Sequence, residues 1–115
     1  MAQESVCAFL LAFREGSGHD SENYCWFNRH YNQFLYVDRI VVSKAHRGKQ
    51  FGALLYADLF RFARAADPER ITSEIDIEPA NRVSLRFHER FGFEEVGSQW
   101  LAGAKKRLSL QAALL

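Results

Sequence analysis

A strand, a basic turn, an amphipathic helix and a second strand follow one another from residue 34 to residue 78, and this succession constrains the fold more than any other feature of the chain. Phe34 to Ser43 is rich in Val, Ile and Tyr, with Asp38 and Arg39 in its middle, as suits a strand buried for most of its length. The RGKQFG turn, Arg47 to Gly52, ends it. Leu55, Leu59 and Phe62 then recur at i, i+4 and i+7, with Asp58, Arg61 and Arg64 on other faces, until Asp67-Pro68 stops the helix. Ile71, Ser73, Ile75 and Ile77 alternate with Thr72, Glu74, Asp76 and Glu78, the pattern of a half-buried strand whose acids form a solvated face. A helix between two strands of one sheet makes a right-handed crossover, so these strands are expected to lie parallel.

The remaining elements follow from local signals. Val6 to Phe13 is continuously apolar and closed by Gly16 to Gly18, which reads as a buried strand. Arg14 to Gln33 exceeds the roughly 12 to 15 residues of a structureless loop, so it should hold an element of its own. Tyr24, Phe27 and Tyr31 stand at helical spacing behind Asp20 and Ser21, which predicts a short capped helix whose aromatic stripe must be covered. Val83 to Phe91 is a second such segment, with Asn81 near its start and Gly92 as its left-handed cap. Strands near Phe93 to Leu101 and Lys106 to Ala112 pair through a turn at Gly103. At 115 residues, the chain reads as one domain, 1–115, of the α/β (α+β) class.

Composition removes several functions. Fifteen Lys+Arg against fourteen Asp+Glu give a net charge of +1, so no general field recruits nucleic acid or an anionic membrane, and any anion must be held locally. The Val6 to Phe13 run falls far short of the roughly 20 residues of a membrane span, and a cytoplasmic location is expected. Cys7 and Cys25 are read as free thiols; with His19 and His30 they offer neither a C-x-x-C pair nor a tight His pair, so no metal is expected.

A strand that runs through RGKQFG into a helix gathers free backbone N–H groups and the positive end of a helix dipole at one point. A phosphate fits there; the plain alternative is a solvated basic turn. Gly48 allows the tight turn, Gly52 allows close approach to the first helical turn, and Arg47 and Lys49 add positive charge. P-loop and Rossmann patterns are both absent.

The stretch IVVSKAHRGKQFGALLY resembles the acetyl-CoA motif of the GNAT acetyltransferase superfamily, a strand followed by Arg/Gln-x-x-Gly-x-Gly/Ala and a helix. NRVSLRFHERFGF, Asn81 to Phe93, resembles that family's second motif at matching spacing, and a bacterial group of GNAT acetyltransferases is the nearest likeness. The resemblance implies a mixed, mostly antiparallel sheet around the parallel strand-helix-strand core. It implies acetyl-CoA as cosubstrate, its pyrophosphate on the amides of Arg47, Gly48, Lys49, Gln50, Phe51 and Gly52 where Ala53 opens the helix. The pantetheine arm would run along Ile40, Val41 and Val42 and touch Asn81. Gln50 stands where the motif has its first Gly, and a negative φ is expected for it.

The same resemblance places His88 where many members carry the tyrosine that protonates the departing thiolate. An imidazolium can do this; a helix-surface histidine without a proton role is the alternative. A carboxylate should take the amine's proton, and Asp76 comes first, at the place where members acting on protein N-terminal amines carry a glutamate, with Asp38 second. Family members usually begin with a strand and two helices, and only five residues precede Val6 here, so the chain is read as a fragment, a mis-called start, or a protein in which the Tyr24 to Tyr31 helix or a second subunit, as in a homodimer, walls the acceptor side. The functions left standing are transfer of acetyl to a small-molecule or peptide amine, a silent acyl-CoA-binding module, and a phosphate-docking binder.

Overall fold

A computed structural model describes residues 7–47, 50–66, 68–78, 80–101, 103 and 105–115. Strands β1 (Ala8–Arg14), β2 (Leu35–Val42), β3 (Arg70–Glu78), β4 (Glu94–Leu101) and β5 (Lys106–Leu114) form one sheet in the order β1-β2-β3-β5-β4. Only β2 and β3 run parallel, as the intervening helix requires; the other three pairs are antiparallel.

Helices α2 (Phe51–Ala66) and α3 (Arg82–Arg90) cover one face of the sheet. There Leu35, Val37 and Ile71 pack under Tyr56, Leu59, Phe60 and Ala63, flanked by Phe87 and Phe91. Helix α1 (Glu22–His30) covers the other face, where Tyr24 and Phe27 meet Phe34, Tyr36 and Leu110. Its start is capped by the Ser21 hydroxyl, which accepts the Tyr24 N–H at 3.2 Å. Helix α3 is capped likewise by the Asn81 side-chain oxygen on the Ser84 N–H, and ends at Gly92 with φ +87°. Phe93 N–H reaches back to the His88 carbonyl, the bond a left-handed cap permits.

Two expectations change. The buried stripe of α2 is Tyr56, Leu59, Phe60 and Ala63, and Phe62 is 61 % exposed. Either aromatic satisfies helical periodicity; Phe60 is the one that stacks on Phe91, so contact across the helix pair sets the rotation. The acids of β3 do not share a solvated face either: Thr72 is fully buried and Glu74 is largely so, because α1 lies over that side of the strand.

The functional consequence lies in the parallel pair. β2 and β3 are in register only at Leu35↔Ile71 and Tyr36↔Thr72, after which they part. Each strand bulges past that point: Asp38 is the extra residue of β2 opposite Leu11 and Ala12, and the β3 register shifts between Asp76 and Glu78. Bulges bend a strand and sharpen its twist, so the pair opens into a fork.

Candidate functional site

Among the described residues, the fork leaves the edge of β2 beyond Tyr36 without a strand partner. Ser43 N–H donates to the Cys7 carbonyl across the β1 side, and the period-2 alternation of a strand puts the Val41 amide on that side also. The N–H and C=O groups of Ile40 and Val42 therefore face the fork. The Val42 carbonyl is reached there by Arg47 Nε at 3.4 Å. An unpaired edge of this kind pairs with any extended chain that carries amides at strand spacing. Val41 is excluded on both counts: its backbone pairs with β1, and its side chain sits on the opposite face beside Phe9.

The side chains of Ile40 and Val42 form one wall of a cleft whose other wall is α3. One part, about 290 Å³, is lined by Ile40, Val42, Gly52, Asn81, Val83, Ser84, Phe87 and His88. It adjoins a larger part of about 600 Å³ at the start of α2, where His46, Arg47, Gln50, Phe51, Gly52 and Ala53 meet Phe87 and Arg90. The first helical bond of α2 runs from Leu54 N–H to the Gln50 carbonyl at 3.1 Å, so the amides of Phe51, Gly52 and Ala53 have no partner within the helix. With Arg47 and Arg90 beside them, these amides make an anion-binding corner. Gly48 and Lys49 lie outside the described residues. A Cβ on Gly52 would stand 3.6 Å from Phe87 and 3.9 Å from Ile40, so a single methyl fits and a branched side chain fills the cleft.

Gln50 departs from the expected conformation. Its φ is +61°, the left-handed region, which costs a residue with a Cβ about 1 kcal/mol or more. The turn into α2 demands this geometry whichever residue occupies it, which accounts for a glycine in the motif at that point.

His88 also differs from both alternatives. It is 5 % exposed, so it is no surface histidine, and its ring is held at both nitrogens. Nδ1 donates to the Ser84 carbonyl at 2.8 Å, which leaves Nε2 to accept the Tyr56 hydroxyl proton at 2.6 Å. Burial lowers its pKa, against the opposing pull of the Ser84 carbonyl, and the site holds a neutral imidazole where an imidazolium was expected. Burial likewise holds the proton on the Tyr56 hydroxyl. Asn81 lines the cleft, but its oxygen is committed to the α3 cap, so its NH₂ is the end available to a ligand.

The carboxylates sort by position. Asp76 is 38 % exposed and lies 3.6 Å from Lys106 Nζ. Asp38 is 15 % exposed, and its two oxygens meet His19 Nε2 and Arg39 Nε, each at 3.2 Å. Glu74, which alternation alone assigned to solvent, sits beside Tyr36 and Asn23 under α1. Burial pushes its carboxyl up to about 7, with the Asp38 charge adding to the rise and hydrogen bonding by Tyr36 and Asn23 opposing it. Its Oε2 is buried without a hydrogen-bond partner among the described residues. Sequence reasoning also missed Val83, Phe87 and Arg90, although their 83, 87, 90 spacing marks one face of a helix. Among the described residues, no three His, Cys, Asp or Glu side chains are grouped to hold a metal, and no helix is long and apolar enough to cross a membrane.

Comparison with known proteins gives a family and a fold. The profile of the Acetyltransferase (GNAT) family matches residues 9–93. Over 66 residues, 57% of the chain, there is 38% identity to the phosphinothricin N-acetyltransferase of Streptomyces coelicolor, and the match spans 37% of that protein. The fold is that of a chain from the NatC complex bound to Gag peptide and CoA, with a TM-score of 0.74 at 14% identity over 95% of this chain and 61% of that one. It is also that of a streptothricin acetyltransferase candidate from Bacillus anthracis in complex with acetyl coenzyme A, with a TM-score of 0.63 at 22% identity over 74% of this chain and 50% of that one. The chain thus spans less than two thirds of the length of each of these proteins.

Proposed function

Because the chain belongs to the Acetyltransferase (GNAT) family, we propose that it transfers the acetyl group of acetyl-CoA to a primary amine by direct attack in a ternary complex. The observation that carries this reading is the fork: the N–H and C=O groups of Ile40 and Val42, turned away from β1, open onto a cleft that ends at the α2 amides without a partner in the helix. An extended amide-bearing arm with a pyrophosphate at one end matches that arrangement in both chemistry and order. Acetyl-CoA supplies the activated thioester. Ile40 and Val42 would align the arm, the amides of Phe51, Gly52 and Ala53 with Arg47 would hold the pyrophosphate, and Asn81 would offer its NH₂.

The amine approaches as an ammonium ion and must lose a proton before it attacks. In this reading the carboxylates of the fork, Asp38 among them, are better placed than Asp76, which faces Lys106 near the outer end of β3. His88 borders the cleft beside Ser84, and with its single ring proton held by the Ser84 carbonyl it serves the leaving sulfur only after it has taken up a proton itself. The acceptor is a small molecule or a peptide, and the cytoplasm is the expected compartment.

A second reading has its own support. His88 is neutral and engaged at both nitrogens, and Gln50 is strained, which suits a module that binds acyl-CoA without turning it over. Calorimetry and a thiol-release assay with a panel of amines separate the two. Under the first reading acetyl-CoA binds and thiol appears with at least one amine; binding without thiol release selects the second. Gly52→Val should weaken acetyl-CoA binding by tenfold or more, while Val41→Ala leaves it unchanged. Equal effects would remove the cleft from consideration.

A further inference from the structure

We propose that Glu74, Asp38 and His19 form a proton relay through the β2–β3 fork, taking a proton from the acceptor ammonium at Glu74 and releasing it to solvent at His19. The inference rests on the acetyl-transfer reading and adds residues to it. Glu74 and Asp38 each stand two residues beyond the last paired positions, Thr72 and Tyr36, where the strands separate, and the Asp38 charge acts on Glu74 across the gap. His19 Nε2 is 3.2 Å from Asp38 Oδ1. Its ring lies flat on Phe13 at 4.5 Å with 10° between the planes, and edge-on to Tyr24 at 5.3 Å. It is nonetheless 24 % exposed, so one end of the chain of groups is wet and the other, Glu74 Oε2, is buried and unpartnered among the described residues.

The surroundings suit transfer. Around the carboxylate pair stand Tyr36 on β2, Asn23 and Tyr24 on α1, the Tyr56 hydroxyl from α2, and Arg39, which pairs with the second Asp38 oxygen. Burial raises the Tyr36 hydroxyl well above its ordinary range, so it keeps its proton. Burial, with the Asp38 charge adding to it, makes Glu74 hold a proton more firmly than an ordinary carboxylate does. Glu74 carboxylate takes H⁺ from R–NH₃⁺, and the proton moves to Asp38 and then to His19 Nε2, to leave from the exposed ring. The freed amine nitrogen bonds to the thioester carbon, the C–S bond breaks, and the second proton shed by nitrogen ends on the sulfur. One ammonium and one thioester give one amide, one thiol and one solvent proton.

Two measurements test the relay. Carboxyl-detected NMR of the protein without acetyl-CoA should find Glu74 titrating near neutral pH and moving downward in Asp38→Asn. Titration in the ordinary carboxylate range, or indifference to Asp38→Asn, overturns the proposal independently of any activity. In turnover with a working amine, His19→Asn keeps a neutral side chain near Asp38 but carries no proton; kcat should fall about tenfold with an unchanged KM for acetyl-CoA, and added imidazole should restore it. An unaltered kcat, or a loss that imidazole does not repair, overturns the relay. Wild-type protein that binds acetyl-CoA and releases no thiol with any amine overturns the catalytic reading itself and the relay with it.

Discussion

Among the described residues, burial shifts the proton affinity of Glu74 and of His88, and the two work in opposite directions. Glu74 is raised above its unfolded value by burial, so its contribution is fully present below about pH 4.5 and is lost as pH rises through about 7. His88 is lowered, so its contribution is present above about pH 6.5 and is lost as pH falls through its depressed value. Glu74→Gln isolates the first effect, because the amide keeps the shape and removes the buried charge. Relative to wild type, the variant should gain stability between pH 5 and pH 8, by an amount on the order of 2 kcal/mol, read by denaturant melts at each pH. A pH-independent difference would place Glu74 in water.

At the scale of elements, α1 is what turns the β3 acids from a solvated face into a buried one, and its seat is specific. Trp26 stacks on His30 at 3.8 Å and lies against Gly97, at the β4 bulge, so closely that a Cβ there would stand 2.5 Å from the indole. Gly97→Ala should therefore push Trp26 off the sheet at a cost of about 1 to 3 kcal/mol. In a Trp100→Phe background, Trp26 emission should shift to the red. An unmoved spectrum with unchanged stability would mean that α1 is seated elsewhere. The short helix was legible in the sequence from the Tyr24, Phe27, Tyr31 spacing and the Ser21 cap; its partner Gly97 was not, because nothing local links residues 26 and 97.

The whole molecule is built on a sheet whose parallel pair is joined at one end and split at the other. The paired end, Leu35 and Tyr36 against Ile71 and Thr72, lies in the core, and the split end exposes a strand edge to the cleft. Acetyl-CoA should then slow amide hydrogen exchange at Ile40 and Val42 while leaving Val41, already bonded toward β1, unchanged. Protection of all three alike, or of none, would show that the ligand does not pair with this edge.

Periodicity, caps and turn residues are properties of neighbours in sequence, so the chain alone determined the strand-helix-strand core, the crossover, the Asn81 and Ser21 caps, the Gly92 stop and the basic turn with its family motif. The cleft residues Ile40, Val42, Phe51, Gly52, Ala53 and Asn81 came within reach only through the likeness to the family motifs. The rest depended on contacts between distant segments. Whether Thr72 and Glu74 are wet is set by a helix some fifty residues away. Whether Phe60 or Phe62 turns inward is set by Phe91, and whether His88 is charged is set first by its burial. Burial and the pairing of polar groups are properties of the assembled layers, and a carboxylate acquires an unusual proton affinity only when those layers close over it.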